Sequence, residues 1–312
     1  MINRRQFSKA LGVGAIALGM RNSILASREE APRIAITIDD FNLFGASQAI
    51  AEKRNRALLE ALRARSNLKA AGFICGKNVD SDLGKSVVTQ WGEAGHMIAN
   101  HTYSHWFYPN YSFEQFSQDA LRVEALIKDL PGFTKRFRFP ALKEGDTAQK
   151  RDKMRAFLKE HDYRMGYVTI DASDWYIDQR LRARLAKAPE ADLTPYKQYY
   201  LDHLWDRARF YDNLSRKVLG RSVKHTLLIH HNVLNELFLR DVLEMFHNRG
   251  WKLIDAADAF GDSVFSAMPN IVPAGESIIW ALAKESGKFD DILRYPGEDD
   301  QYEKPKMDKL GL

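Results

Sequence analysis

At 312 residues, with 45% hydrophobic and 28% charged side chains, the chain suits one large α/β domain or two smaller ones, and its composition excludes a disordered or fibrous protein. The net charge of +5 does not signal nucleic-acid binding, because Arg4, Arg5, Lys9 and Arg21 place +4 of it in residues 1–27 and leave +1 for everything after. The single cysteine, Cys75, excludes an internal disulfide, so a metal site would have to be built from histidine and carboxylate.

Residues 1–27 combine a charged start, a short apolar run from Ala10 to Met20 and small residues at Ala26-Ser27, the pattern of an export signal. Arg4-Arg5 followed by Phe7 and Lys9 makes it twin-arginine-like. The apolar run is too short to span a bilayer, so the expectation is an exported, periplasmic bacterial protein without stable membrane insertion once the signal is removed.

From residue 33 short apolar runs alternate with amphipathic stretches. Strands are expected at 33–39, 71–75, 96–100, 135–140, 164–171, 225–230 and 251–256. Helices are expected between them, at 47–65, 113–130 and 234–250 among others, where apolar residues recur every three or four positions. This alternation predicts an α/β fold with a parallel sheet, open or closed into a barrel. Residues 176–224 form a long insert containing Tyr196, Tyr199, Tyr200, Trp205, Phe210 and Tyr211. Beyond Phe260 the chain reads as a surface wrap or partly disordered tail. The expected organisation is thus an export signal at 1–27, a catalytic domain at 28–260 carrying the insert 176–224, and a C-terminal tail at 261–312.

In parallel α/β folds chemistry collects where strands end. Asp39-Asp40 follow the first predicted strand, and His101 and His105 follow the third. Arg138 and Pro140 lie on the fourth, Asp171 ends the fifth with Asp174-Trp175 beyond it, and His230-His231 close the sixth. Two imidazoles four residues apart are about one helical turn apart and could face one ion, with a first-strand aspartate as the third ligand. His96, on a strand itself, reads as a core histidine, and Cys75 as a buried strand residue.

Five segments in this order resemble the NodB-type polysaccharide deacetylases, the fourth carbohydrate esterase family: TIDD (37–40), HTYSH (101–105), FRFP (137–140), DASDW (171–175) and LLIHH (227–231). The resemblance implies the NodB-homology fold, a distorted (β/α)7 barrel. It also implies one divalent metal ion, usually zinc, on Asp40, His101 and His105. Metal-bound water would be the nucleophile, Asp39 the base held by Arg138, and His230 the acid held by Asp171. Asp174 competes with Asp171 for that place, and His231 with His230. Trp175, Tyr103 and Ala141 would line the substrate site, with a backbone N–H near Ala141 as a second oxyanion donor. The implied reaction is removal of N-acetyl groups from an amino-sugar-containing glycan, with an N-acetylated saccharide or related N-acyl compound as partner and no nucleic acid. An amidase for small N-acyl compounds and a non-catalytic metal- or glycan-binding protein of the same fold are the alternatives.

Overall fold

In a computed structural model, which describes residues 30–43, 45–293 and 300–312, the run Arg33–Asp40 is strand β1 and its six central residues are buried. A strand covered on both faces requires such an unbroken apolar run, and this one forms the middle of a parallel sheet. The other strands are β2 (Ala71–Ile74), β3 (Met97–Asn100), β4 (Phe133–Phe137), β5 (Lys143–Gly145), β6 (Arg164–Met165), β7 (Lys224–His230), β8 (Lys252–Leu253) and β9 (Ala274–Gly275). The main sheet runs β6-β4-β3-β2-β1-β7, with β8 pairing the start of β1, and every pairing in it is parallel. The expected export signal at 1–27 lies outside the described residues.

The helices are α1 (Gln48–Ala64), α2 (Gly76–Val79), α3 (Asp82–Glu93), α4 (Phe113–Ile127), α5 (Ala148–Glu160), α6 (Asp174–Lys187), α7 (Thr194–Leu219), α8 (Val233–Asn248), α9 (Ala256–Ala259), α10 (Ile278–Ser286) and α11 (Asp300–Leu310). Side-chain caps fix where several begin: Ser47, Ser81, Thr147 and Asn232 each accept a first-turn N–H, and Ser112 with Gln115 forms a reciprocal capping box. No described helix is long and apolar enough to cross a membrane.

The fold is the expected one: a curled parallel sheet with helices, a (β/α)7 barrel whose closure is imperfect. The expected strand at 164–171 shows why. Only Arg164–Met165 pairs with β4; the chain then crosses a gap and meets β7 through one isolated bridge, Ile170 to Leu227, and side-chain hydrogen bonds between Thr169 and Thr226 in place of a regular ladder. Gly166 sits at the departure point, donating its N–H to Phe137 O at 2.6 Å. A Cβ there would lie 2.3 Å from the Phe73 ring, so glycine is what lets the segment pass.

The insert supplies α7 and most of α6, and its Tyr196, Tyr200 and Tyr211 are buried in the hydrophobic core. The tail is not a surface wrap. Its β9 pairs antiparallel with β5, and Ile278 and Ile279 of α10 are buried. Ser277 donates to Thr169 O and Ile278 N–H to Val168 O, both at 2.8 Å. Backbone carbonyls in the gap between β6 and β7 need donors, and the tail provides them.

Candidate active site

Asp39, Asp40, His101, His105, Asp171 and His230, from four of the five polar strand ends, line one cavity of about 760 Å3, to which the fourth strand end contributes Phe139 and Ala141. In a regular strand Asp39 and Asp40 would face opposite sides. Left-handed backbone at Asp40 (φ 74°) and Phe41 (φ 52°) breaks that alternation. Both carboxylates then come near His101 Nε2, at 3.7 Å from Asp39 and 3.5 Å from Asp40. Asn78 holds the turn, donating to Asp40 O at 3.1 Å and to Asn42 Oδ1 at 2.9 Å.

His101 and His105 do meet, but not on a helix. Residues 101–107 form a loop with left-handed Thr102 (φ 64°) and His105 (φ 55°). Asn100 Oδ1 accepts the Thr102 N–H, Thr102 Oγ1 accepts the His105 N–H, and Asp119 accepts both the N–H and the hydroxyl of Ser104. The imidazoles end 5.1 Å apart, centroid to centroid. His105 Nε2 lies 3.1 Å from Asp40 Oδ1, and one donor atom from each of Asp40, His101 and His105 falls within 4.8 Å of the others.

This donor set fits a divalent metal. His101 Nδ1 donates to Arg138 O at 2.8 Å, which fixes the tautomer and leaves the Nε2 lone pair toward the site. Asp40 Oδ1 is buried without a hydrogen-bond donor, an unmet acceptor beside two imidazoles. Burial alone would raise the Asp40 pKa, but the imidazoles of His105, His230 and His101 hold it well below the usual carboxylate range. Burial, outweighing Asp39 and Asp40, lowers His101 to about 4, so its ring is a neutral ligand near pH 7.

Beside this triad lies a buried ion pair. Arg138 donates through Nη1 to Asp39 Oδ1 at 2.5 Å and to Thr37 Oγ1 at 3.0 Å, and through Nε to Gly166 O at 2.8 Å. Its guanidinium stacks over Phe73 at 3.7 Å, a contact suited to a planar cation removed from water.

The third part of the site is His230. Its Nδ1 lies 2.7 Å from Asp174 Oδ1, while Asp174 Oδ2 accepts from the His230 N–H and from the side-chain amides of Asn232 and Asn235. Burial opposes a charged ring, but Asp174, Asp40 and Asp39 outweigh it and raise the His230 pKa to about 10. This corrects the expectation that Asp171 holds the ring. Asp174 is the first residue of α6, fully buried where that helix start meets the loop after β7. Asp171 precedes the helix; it lines the cavity, accepts the Ala172 N–H and adds its charge opposite Arg138. Accordingly, Asp174→Asn is expected to lower kcat by on the order of 100-fold or more, because the amide no longer secures a protonated ring, and Asp171→Asn by about 10-fold at most. Steady-state kinetics of the two variants check the ranking.

His231 is excluded from the cavity. It is fully buried, stacked on Phe41 at 4.9 Å, and neither ring nitrogen has a partner. Burial and then Arg54 lower its pKa to about 3, and burial with Lys69 lowers His96 to about 4. His96 is the core histidine expected, accepting the Ala70 N–H at 3.0 Å. Both rings are neutral in the folded and unfolded chain above pH 6.5. As pH falls from there toward about 4 the unfolded chain gains protons that the folded one refuses, so stability is lost by up to about 1.4 kcal/mol per pH unit for each ring. Urea unfolding at about pH 7 and about pH 5 should show this loss, with a shallower slope in His231→Phe; equal stability at both would contradict it.

Of the expected substrate residues, Trp175 and Ala141 line the cavity, Trp175 40% exposed and Ala141 with φ 50°. Tyr103 does not: Arg122 lies over its ring at 3.3 Å and its hydroxyl donates to Asp80 at 2.8 Å, which turns it toward α2 and α4. Further wall residues lie outside the five strand-end segments: Lys143 of β5 paired with Glu276 beside β9, and Asp178 of α6 paired with Arg182. The i, i+4 spacing of the second pair was a usable signal; the first joins segments far apart in sequence and left none.

Residues 26–166 match the family model for polysaccharide deacetylases. A peptidoglycan-N-acetylglucosamine deacetylase of Bacillus cereus is 25% identical over 118 residues, 38% of this chain and 40% of that protein, so the match spans less than half of the curated relative. Among solved structures, a mutant of a CE4 family pseudoenzyme from Bacillus anthracis aligns with a TM-score of 0.51 at 15% identity, covering 74% of this chain and 67% of that one. A family 4 carbohydrate esterase from Streptomyces lividans in complex with acetate aligns at 21% identity and a TM-score of 0.46, covering 71% of this chain and 91% of that one. The polysaccharide deacetylase match covers β1 to β6 and takes in Asp39, Asp40, His101, His105 and Arg138, whereas Asp174 and His230 lie beyond it.

Proposed function

We propose that the protein is a metal-dependent deacetylase that removes N-acetyl groups from an amino-sugar-containing glycan, exported by the leader at 1–27. The observation that carries this reading is the convergence on one cavity of the Asp40, His101 and His105 donor atoms, the Arg138–Asp39 pair and the Asp174–His230 pair. Two imidazole nitrogens and one carboxylate oxygen suit Zn2+ and leave room for water and substrate. The chemistry supplied by such an ion is a fixed positive charge that polarises the acyl oxygen and makes water more acidic.

The chain's own residues divide the proton transfers. Arg138 occupies Asp39 Oδ1, which leaves Oδ2 to take the proton of the attacking water. His230 is held at Nδ1 by Asp174, so its Nε2 is the atom that gives a proton to the departing amine. One group must take a proton while the other gives one, and the contacts of Asp39 with Arg138 and of His230 with Asp174 support that division. In this reading a backbone N–H near Ala141, a residue that lines the cavity, would be the second donor to the oxyanion.

Acetate release from N-acetylated oligosaccharides, with and without a chelator and after zinc is restored, tests the reading. Chelator-sensitive release supports it, and release unaffected by chelation or absent from every substrate sinks it. A cavity of about 760 Å3 is the size of a single small-ligand pocket, which favours a compact N-acyl compound as second reading; the same panel should include such amides.

A further inference from the structure

We infer that helix α7 of the long insert positions the catalytic acid, through His203 acting on the N-terminus of α6 and Tyr200 acting on Asn235; this rests on the proposed role of His230. His203 Nε2 accepts the Ser173 N–H at 2.9 Å, and Ser173 is the N-cap residue of α6, directly before Asp174. Because Nε2 accepts, the ring proton sits on Nδ1, which faces Glu303 Oε1 of α11 at 3.5 Å. One helical turn away on α7, the Tyr200 hydroxyl donates to Asn235 Oδ1 at 2.6 Å, and Asn235 Nδ2 donates to Asp174 Oδ2 at 2.9 Å.

Tyr200 and Asn235 are fully buried and His203 is 7% exposed, so these bonds compete with little water. Asp174 is thus fixed from two sides. The Ser173 anchor sets where its backbone starts, and Asn235 sets how its carboxylate turns. A carboxylate that must meet His230 Nδ1 at 2.7 Å tolerates little rotation, and α6 lacks a side-chain cap that could hold its first turn in place of His203. Helix α7 therefore acts on His230 from outside the cavity, none of whose lining residues it supplies. Tyr200 and His203 are positioning residues.

Two readouts test this. The first is the His230 Nδ1 proton, observed by nitrogen-15 NMR as a downfield, slowly exchanging signal in the zinc-loaded protein; it needs no turnover. The second is the split between kcat and KM for deacetylation. His203→Leu removes the acceptor for Ser173 N–H, and the signal should broaden or vanish while kcat falls about 10-fold with KM little changed. His203→Gln, whose amide oxygen reaches about where Nε2 stands, should restore both. Tyr200→Phe keeps the ring in the core and should weaken both more mildly; it carries the test if Leu at position 203 lowers Tm too far for a folded sample. An unchanged His230 signal in either folded variant overturns the inference. If the signal responds as expected but the wild type deacetylates nothing, the positioning role stands and the proposed function fails.

Discussion

Asp39→Asn is expected to abolish most turnover while leaving metal uptake intact. The amide cannot take a proton from water at neutral pH, and loss of a positioned general base costs about 100- to 10,000-fold in kcat. Asp40, His101 and His105 are untouched, so zinc stoichiometry should stay that of the wild type. The variant also leaves Arg138 as a buried cation with Thr37 Oγ1 and Gly166 O as neutral acceptors, a loss on the order of 3 kcal/mol of folding stability. Activity must therefore be read well below the variant's own Tm. Metal analysis beside single-turnover kinetics separates the effects, and near-wild-type turnover would remove Asp39 from the role of base.

The second large effect is loss of the metal in His105→Ala. The loop that carries His105 is fixed by bonds from Asn100, Thr102 and Asp119 rather than by its imidazole, which is 32% exposed. The substitution should change folding stability by only about 0.5 kcal/mol. The ion, however, would keep two ligands instead of three. Zinc content after dialysis should fall toward zero, and activity should drop at least about 100-fold, to the level of chelator-treated wild type. A variant that retains stoichiometric zinc would show that the ion is held elsewhere.

Much of this site was legible because parallel sheets gather strand ends, and because β1, β3 and β7 carry apolar runs that end at, or one residue before, a titratable side chain, while Arg138 directly follows the mixed run of β4. Asp39, Asp40, His101, His105, Arg138 and His230 could be read that way. The convergence of the histidines was foreseen for the wrong local reason: Thr102 and His105 turn through left-handed backbone instead of a helical turn. The choice of Asp174 over Asp171 depends on where α6 begins, and single-sequence reading is weakest at helix starts. Only packing separates His231 from His230. In the sequence the two are neighbours; in the fold one faces the cavity and the other lies against Phe41. Glu276 and His203 were out of reach, since each meets its partners across long sequence separations that no periodicity encodes.

The bonds from Ser277 and Ile278 to the carbonyls of Thr169 and Val168 have a practical consequence. Cutting the gene after Phe260, as sequence alone would recommend, removes the seal on the barrel's unfinished side together with one flank of the cavity, where Glu276 lies. Such a truncation should be poorly soluble and inactive even with every metal ligand present, and recombinant work on this protein needs its last fifty-two residues.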